Sequence, residues 1–127
     1  MNTALILFAH GARDPEWADP MRRVQAAVRQ LQPATRVELA FLEFIAPTLG
    51  DCIAGLIGDG VEKIVVMPMF IARGGHLKRD VPDLLAALRL AHPGVEFVLG
   101  DAIGAHESVV QAMAAAALAE AGLQLAE

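Results

Sequence analysis

The feature that most constrains this chain is the order of its apolar runs. Four short runs, Ala4–Ala9, Val37–Phe44, Lys63–Phe70 and Val95–Leu99, alternate with longer stretches of helical spacing. Ala4–Ala9 is continuously apolar rather than alternating, the pattern of a strand buried on both faces of a parallel sheet. Lys63–Phe70 is more apolar still, and its Pro68, which lacks a ladder donor, belongs near the carboxyl end of that strand. Between the runs lie helix signals. Asp14-Pro15 and Asp19-Pro20 each offer a capping residue with a proline after it, and Met21, Val24, Val28 and Leu31 keep helical spacing until Pro33. Thr48 caps a helix with Leu49, Cys52, Ile53, Leu56 and Ile57 on one face, ended by Gly58 and Gly60. Asp80 is read as the start of a third helix, carrying Val81, Leu84, Leu85 and Leu88 as far as Pro93-Gly94. His106–Ala121 is an alanine-rich fourth helix, with Val109, Val110, Met113 and Ala117 on one side.

The order β-α-β-α-β-α-β-α with short connections predicts an α/β fold: a four-stranded parallel sheet flanked by helices on both faces. Its 127 residues suit one domain, 1–127, and no linker or composition shift marks a second. With 55% hydrophobic and 20% charged residues the chain is not of the disordered class. A single cysteine, Cys52, excludes an internal disulfide framework and a cysteine zinc cluster. The net charge of −5 and an aromatic content of 5% without tyrosine argue against a nucleic-acid partner. The longest apolar stretch, Ile64–Ala72, is about nine residues, far below the roughly 20 that span a bilayer, so no membrane partner is expected. The start of the chain lacks the basic region of a secretory signal, and a cytoplasmic location is the default expectation.

Ligands of open parallel sheets sit beyond the carboxyl ends of the strands. Three chemically capable residues fall there: His10 after the first strand, Glu43 at the end of the second and His76 after the third. Two imidazoles and a carboxylate suit a first-row divalent metal, and they also suit proton acceptance. Each has an ordinary reading beside that one. A loop histidine is commonly just polar, and Glu43, between Leu42 and Phe44, either has a partner or points to solvent. His92 at a helix end, His106 at the start of the last helix, and Cys52 on an apolar stripe read as structural. Trp17 reads as packing or lining a rim. Arg13, Arg73, Lys78 and Arg79, four of the ten basic residues, cluster in the two histidine loops. A basic rim on an acidic protein suits a polyanionic small ligand, though loops are polar in any case. Several classes fall away. Ser108 is the only serine and no nucleophile elbow surrounds it. No phosphate-binding glycine loop follows the first strand. His10-Gly11 lacks the preceding arginine of the histidine phosphatases, since Ala9 stands there.

Three blocks carry a family resemblance: His10-Gly11-Ala12-Arg13, then Phe41 to Leu49, then Pro68 to Pro82 with Gly75-His76 and Asp80-Val81-Pro82. In this order and spacing they resemble the short sirohydrochlorin chelatases, the small form of the anaerobic-type cobaltochelatases, related to the siroheme ferrochelatases. The resemblance reaches about Met113 and departs at Ala12, where many relatives have a small hydroxyl residue. It implies a class II chelatase fold and ATP-independent insertion of a divalent metal into sirohydrochlorin, with Co²⁺ favoured and Fe²⁺ or Ni²⁺ as other substrates. No organic cofactor is implied. His10 and His76 would bind the metal, and Glu43 would assist between them. Arg13, Arg73, Lys78 and Arg79 would hold the acetate and propionate arms of the tetrapyrrole. A homodimer is the expected working unit, because larger relatives place the substrate between two such domains. A non-catalytic tetrapyrrole or metal carrier on the same fold is the alternative.

Overall fold

The computed structural model describes residues 2–72 and 74–126, and within α3 the side chain of His76 also lies outside the description. The strands are β1 (Thr3–Ala9), β2 (Arg36–Phe41), β3 (Lys63–Pro68) and β4 (Glu96–Leu99). The helices are α1 (Asp19–Leu31), α2 (Leu49–Gly58), α3 (Gly75–Ala91) and α4 (Glu107–Glu120), with 3-10 turns at Pro15–Ala18 and Ile103–Ala105. All pairings are parallel in the order β2-β1-β3-β4. The expected class, a four-stranded parallel sheet with helices on both faces, is what the chain adopts.

The handedness of β-α-β crossovers explains where the helices go. From β1 to β2 the chain steps one way along the sheet; from β2 to β3 to β4 it steps the other way. Right-handed crossovers therefore put α1 on one face and α2 and α3 on the other. The main core lies under α2 and α3. Ala4, Ile6, Phe8, Ala40, Ile64, Val66 and Phe97 from the sheet meet Leu49, Ile53, Leu56, Val81 and Leu85 from the helices. Under α1 a smaller cluster joins Ala9, Phe41 and Ala18 with Met21, Leu39 and Met69.

Several boundaries differ from the sequence reading, each for a local reason. β2 stops at Phe41, and residues 42–46 bend away, so Glu43 and Phe44 are loop residues. Phe44 is 59% exposed rather than core. β3 stops at Pro68, and the chain stays tied to β1 by the Met69 N–H donating to the Phe8 carbonyl (2.7 Å). α3 begins at Gly75, five residues before Asp80, so Lys78 and Arg79 belong to a helix and not a loop. Asp80-Val81-Pro82 imitates a helix start, whereas the true start is capped by backbone alone, at Gly74 with an extended conformation. Asp14 does cap its turn, accepting from the Glu16 N–H (3.0 Å), but Asp19 lies inside α1 and pairs with Arg22 instead of capping. The loop after β3 is pinned from outside. The Gly104 N–H donates to the Phe70 carbonyl (3.0 Å), and a Cβ on Gly104 would stand 2.3 Å from the Ile71 carbonyl oxygen.

Candidate active site

The reversal of direction between β1 and β3 creates a crevice outside their carboxyl ends, because the loop after β1 runs to one face and the loop after β3 to the other. His10 follows β1 directly. The His10 Nε2–H donates to Glu43 Oε1 across 3.0 Å, and both side chains are about half exposed (52% and 48%). The backbone enforces this pairing. The Leu42 N–H donates to the Ala9 carbonyl (2.9 Å) and the Glu43 N–H to the His10 carbonyl (3.0 Å), so the two loops run together past the strand ends. Gly11 makes that approach possible. Its φ is +93°, and a Cβ there would stand 1.9 Å from the Glu43 carbonyl oxygen. Glu43 therefore has the partner that a carboxylate in such a setting calls for.

Aromatic side chains frame the imidazole. Phe70 meets the His10 ring edge-on, with centroids 6.5 Å apart, and Phe8 meets Phe70 likewise at 5.9 Å. Phe44 adopts φ +69°, an uncommon conformation for a bulky residue that costs on the order of 1–3 kcal/mol. The Arg13 guanidinium lies over its ring, 5.2 Å from the centroid. The carboxyl edge thus carries an exposed apolar rim, Phe44 and Ile71 (75% exposed) with Trp17 (41%) nearby in sequence to Arg13. Sequence reasoning gave Phe44 and Phe70 no role at the site. Their contacts with Arg13 and His10 join distant segments, and only the outlying apolar residue after Glu43 hinted at them.

Of the other expected site residues, Lys78 and Arg79 are exposed on the first turns of α3, on the same edge. His76 is the second residue of α3, which places its backbone after β3, across the crevice from the β1 loop. Its side chain, and all of Arg73, lie outside the described residues. Among the described residues no three metal-ligating side chains converge, so His10 and Glu43 form a two-member donor set. His92 caps the end of α3, at the opposite edge of the sheet, and His106 precedes α4. Beside the site, an apolar cleft of about 140 Å³ opens between Phe8, Phe41 and Leu42 and the starts of α2 and α3. Cys52 is buried in the core, and burial pushes its thiol up to about 11.

The family model described as CbiX matches residues 4–120. The chain belongs to the CbiX family. The protein named sirohydrochlorin cobaltochelatase of Saccharolobus islandicus (strain L.S.2.15 / Lassen #1) is 33% identical to it over 115 residues, which cover 83% of this chain and 85% of that one. A solved CbiX protein from Marinobacter aquaeolei VT8 superposes with a TM-score of 0.79 at 29% identity, over 94% of this chain and 98% of the other. The sirohydrochlorin chelatase SirB from Bacillus subtilis subspecies spizizenii, solved in complex with cobalt, gives a TM-score of 0.73 at 26% identity. That likeness covers 88% of this chain but 48% of the longer SirB chain.

Proposed function

We propose that this chain is an ATP-independent sirohydrochlorin chelatase that inserts a divalent metal, Co²⁺ first and Fe²⁺ or Ni²⁺ as other substrates, into the tetrapyrrole. The observation that carries the reading is the His10–Glu43 pair at the β1–β3 crevice, in a CbiX chain whose relatives bear the cobaltochelatase name. Metal insertion must strip water from the ion and remove two pyrrole protons. A carboxylate accepting the Nε2–H of an imidazole fixes the tautomer and leaves the lone pair of the other nitrogen free. His10 would therefore offer Nδ1 to the incoming ion, while Glu43 would accept a proton. His76, on the facing segment, supplies the second imidazole in this reading. A set of two or three donors leaves positions open, which an ion destined for transfer requires.

The basic residues on the same edge, Arg13, Arg73, Lys78 and Arg79, suit the carboxylate arms of sirohydrochlorin. No organic cofactor is called for, since the reaction exchanges two protons for one dication without redox change. The chain works as one domain and, in this reading, as a cytoplasmic homodimer without nucleic-acid or membrane partners. The dimer follows from size. A tetrapyrrole is wide compared with one small α/β domain, which offers it one wall rather than an enclosure.

Anaerobic incubation with sirohydrochlorin and each of Co²⁺, Fe²⁺ and Ni²⁺, followed by absorption, tests the proposal. Metallation above the uncatalysed rate, abolished in His10→Ala, is expected. Binding of the tetrapyrrole with no acceleration for any metal would leave a carrier and sink the enzyme reading.

A further inference from the structure

Phe44 is held in a strained conformation that burial does not offset. The Ile45 N–H donates to the Glu43 carbonyl across 2.9 Å, so the chain closes a γ-turn with Phe44, at φ +69°, as its central residue. Turns of this hand are rare and strained for a side chain of this size. The residue before it is fixed on both sides. The Glu43 N–H is committed to the His10 carbonyl, and the Glu43 carbonyl faces Gly11 at a distance that only a glycine allows. The turn sorts two neighbouring apolar residues. Ile45 packs inward against the cluster of Ala9, Ala18 and Phe41, whereas Phe44, next in the chain to Glu43, stands 59% exposed. What lies over the ring is a cation, the exposed Arg13 guanidinium, 5.2 Å from the centroid. Among the described residues the ion pairs engage other groups and leave Arg13 without a carboxylate.

We propose that Phe44 is a substrate-binding residue, its ring laid against the face of the tetrapyrrole while Arg13 passes from that ring to a carboxylate arm. The inference rests on the chelatase reading above, in which Arg13 serves the arms, and it adds the apolar half of the grip. The chemistry of the ligand matches the pair. Sirohydrochlorin is a broad ring system with carboxylates around its rim, so an aromatic side chain with a guanidinium beside it meets both parts at once. A phenyl ring presents its area at low entropic cost, since only two side-chain torsions are fixed, and the γ-turn fixes the backbone in advance. A carboxylate is a stronger partner for a guanidinium than an exposed ring face. Arrival of an arm therefore draws Arg13 aside and bares the ring to the macrocycle. Because Glu43 is the preceding residue, a macrocycle seated on this ring lies alongside the His10–Glu43 pair. The exposed Ile71, on the facing loop, extends the same apolar rim.

Glycine separates the ring from the turn, because it adopts a positive φ without strain. Phe44→Gly should unfold at an equal or higher denaturant concentration than wild type, yet bind metal-free sirohydrochlorin about tenfold more weakly in an absorption titration. In steady-state metallation with Co²⁺ the loss should appear in KM, with kcat within about threefold of wild type. Phe44→Tyr keeps the ring and should keep the wild-type affinity. Phe44→Gly binding as tightly as wild type, or Phe44→Tyr binding as weakly as Phe44→Gly, would overturn the proposal. Phe44→Leu covers a glycine variant that fails to fold: it keeps apolar bulk without the aromatic face, and wild-type affinity in it refutes the role of the ring. The two readings fail separately. A wild type that metallates sirohydrochlorin beside a Phe44→Gly with the same KM removes Phe44 alone, whereas a wild type that binds no sirohydrochlorin removes the chelatase reading and this one with it.

Discussion

A carboxylate bound to an imidazole behaves as one unit, so its members can be separated only by changes that keep shape. Glu43→Gln retains the reach to His10 but cannot accept a proton. Turnover should fall on the order of 10²-fold with KM little changed, measured by steady-state metallation. An equal kcat would make Glu43 an orienting residue only. His76→Ala tests the facing segment. Calorimetric Co²⁺ affinity should drop at least tenfold, with the unfolding midpoint measured alongside so that loss of a ligand is told apart from loss of the fold. Equal affinity in the two proteins removes His76 from the metal path. Gly11 is where the backbone leaves no choice. Gly11→Ala meets both a positive φ and the Glu43 carbonyl 1.9 Å away. Denaturant unfolding should show a loss of at least about 1–3 kcal/mol, with activity falling further as the two loops part.

At the level of the elements, the helix starts differ in how they are capped. The Thr48 Oγ1 accepts the Asp51 N–H across 3.2 Å, and Thr48→Ala should cost about 1 kcal/mol, readable as a shifted denaturation midpoint. Cys52, four residues on in α2, supplies a pH signature. Its thiol ionises near 9 when free and near 11 in the fold, chiefly because burial opposes the thiolate. Between those values the unfolded chain has lost a proton that the folded chain keeps, so stability declines as pH rises from about 9 to 11. Thermal melts across that range should slope less in Cys52→Ala. The same elements show what was legible. Apolar runs and helical spacing placed every strand and helix, because burial imposes those periods. The start of α3 was hidden, since Gly74-Gly75 caps with backbone and Asp80-Val81-Pro82 mimics a cap with side chains. His10 and Glu43 could be placed on one edge from topology alone. Their hydrogen bond, the Phe70 edge contact and the Arg13–Phe44 stack could not, because each joins segments far apart in sequence and depends on where loops bend.

For the whole molecule, the turn at Ile103–Ala105 joins two matters that look separate. It is the support on which α4 leans, and through Gly104 it also grips the Phe70–Ile71 segment whose aromatic ring braces His10. In the proposed dimer, whatever steadies α4 steadies that turn, and with it the wall beside the imidazole. Dilution then becomes a control variable. Specific activity per chain should fall as the protein is diluted through its dissociation constant and recover on concentration, while a covalently linked tandem of two chains should hold its activity at every dilution. Activity strictly proportional to protein across that range would mean that the wall stands without its neighbour.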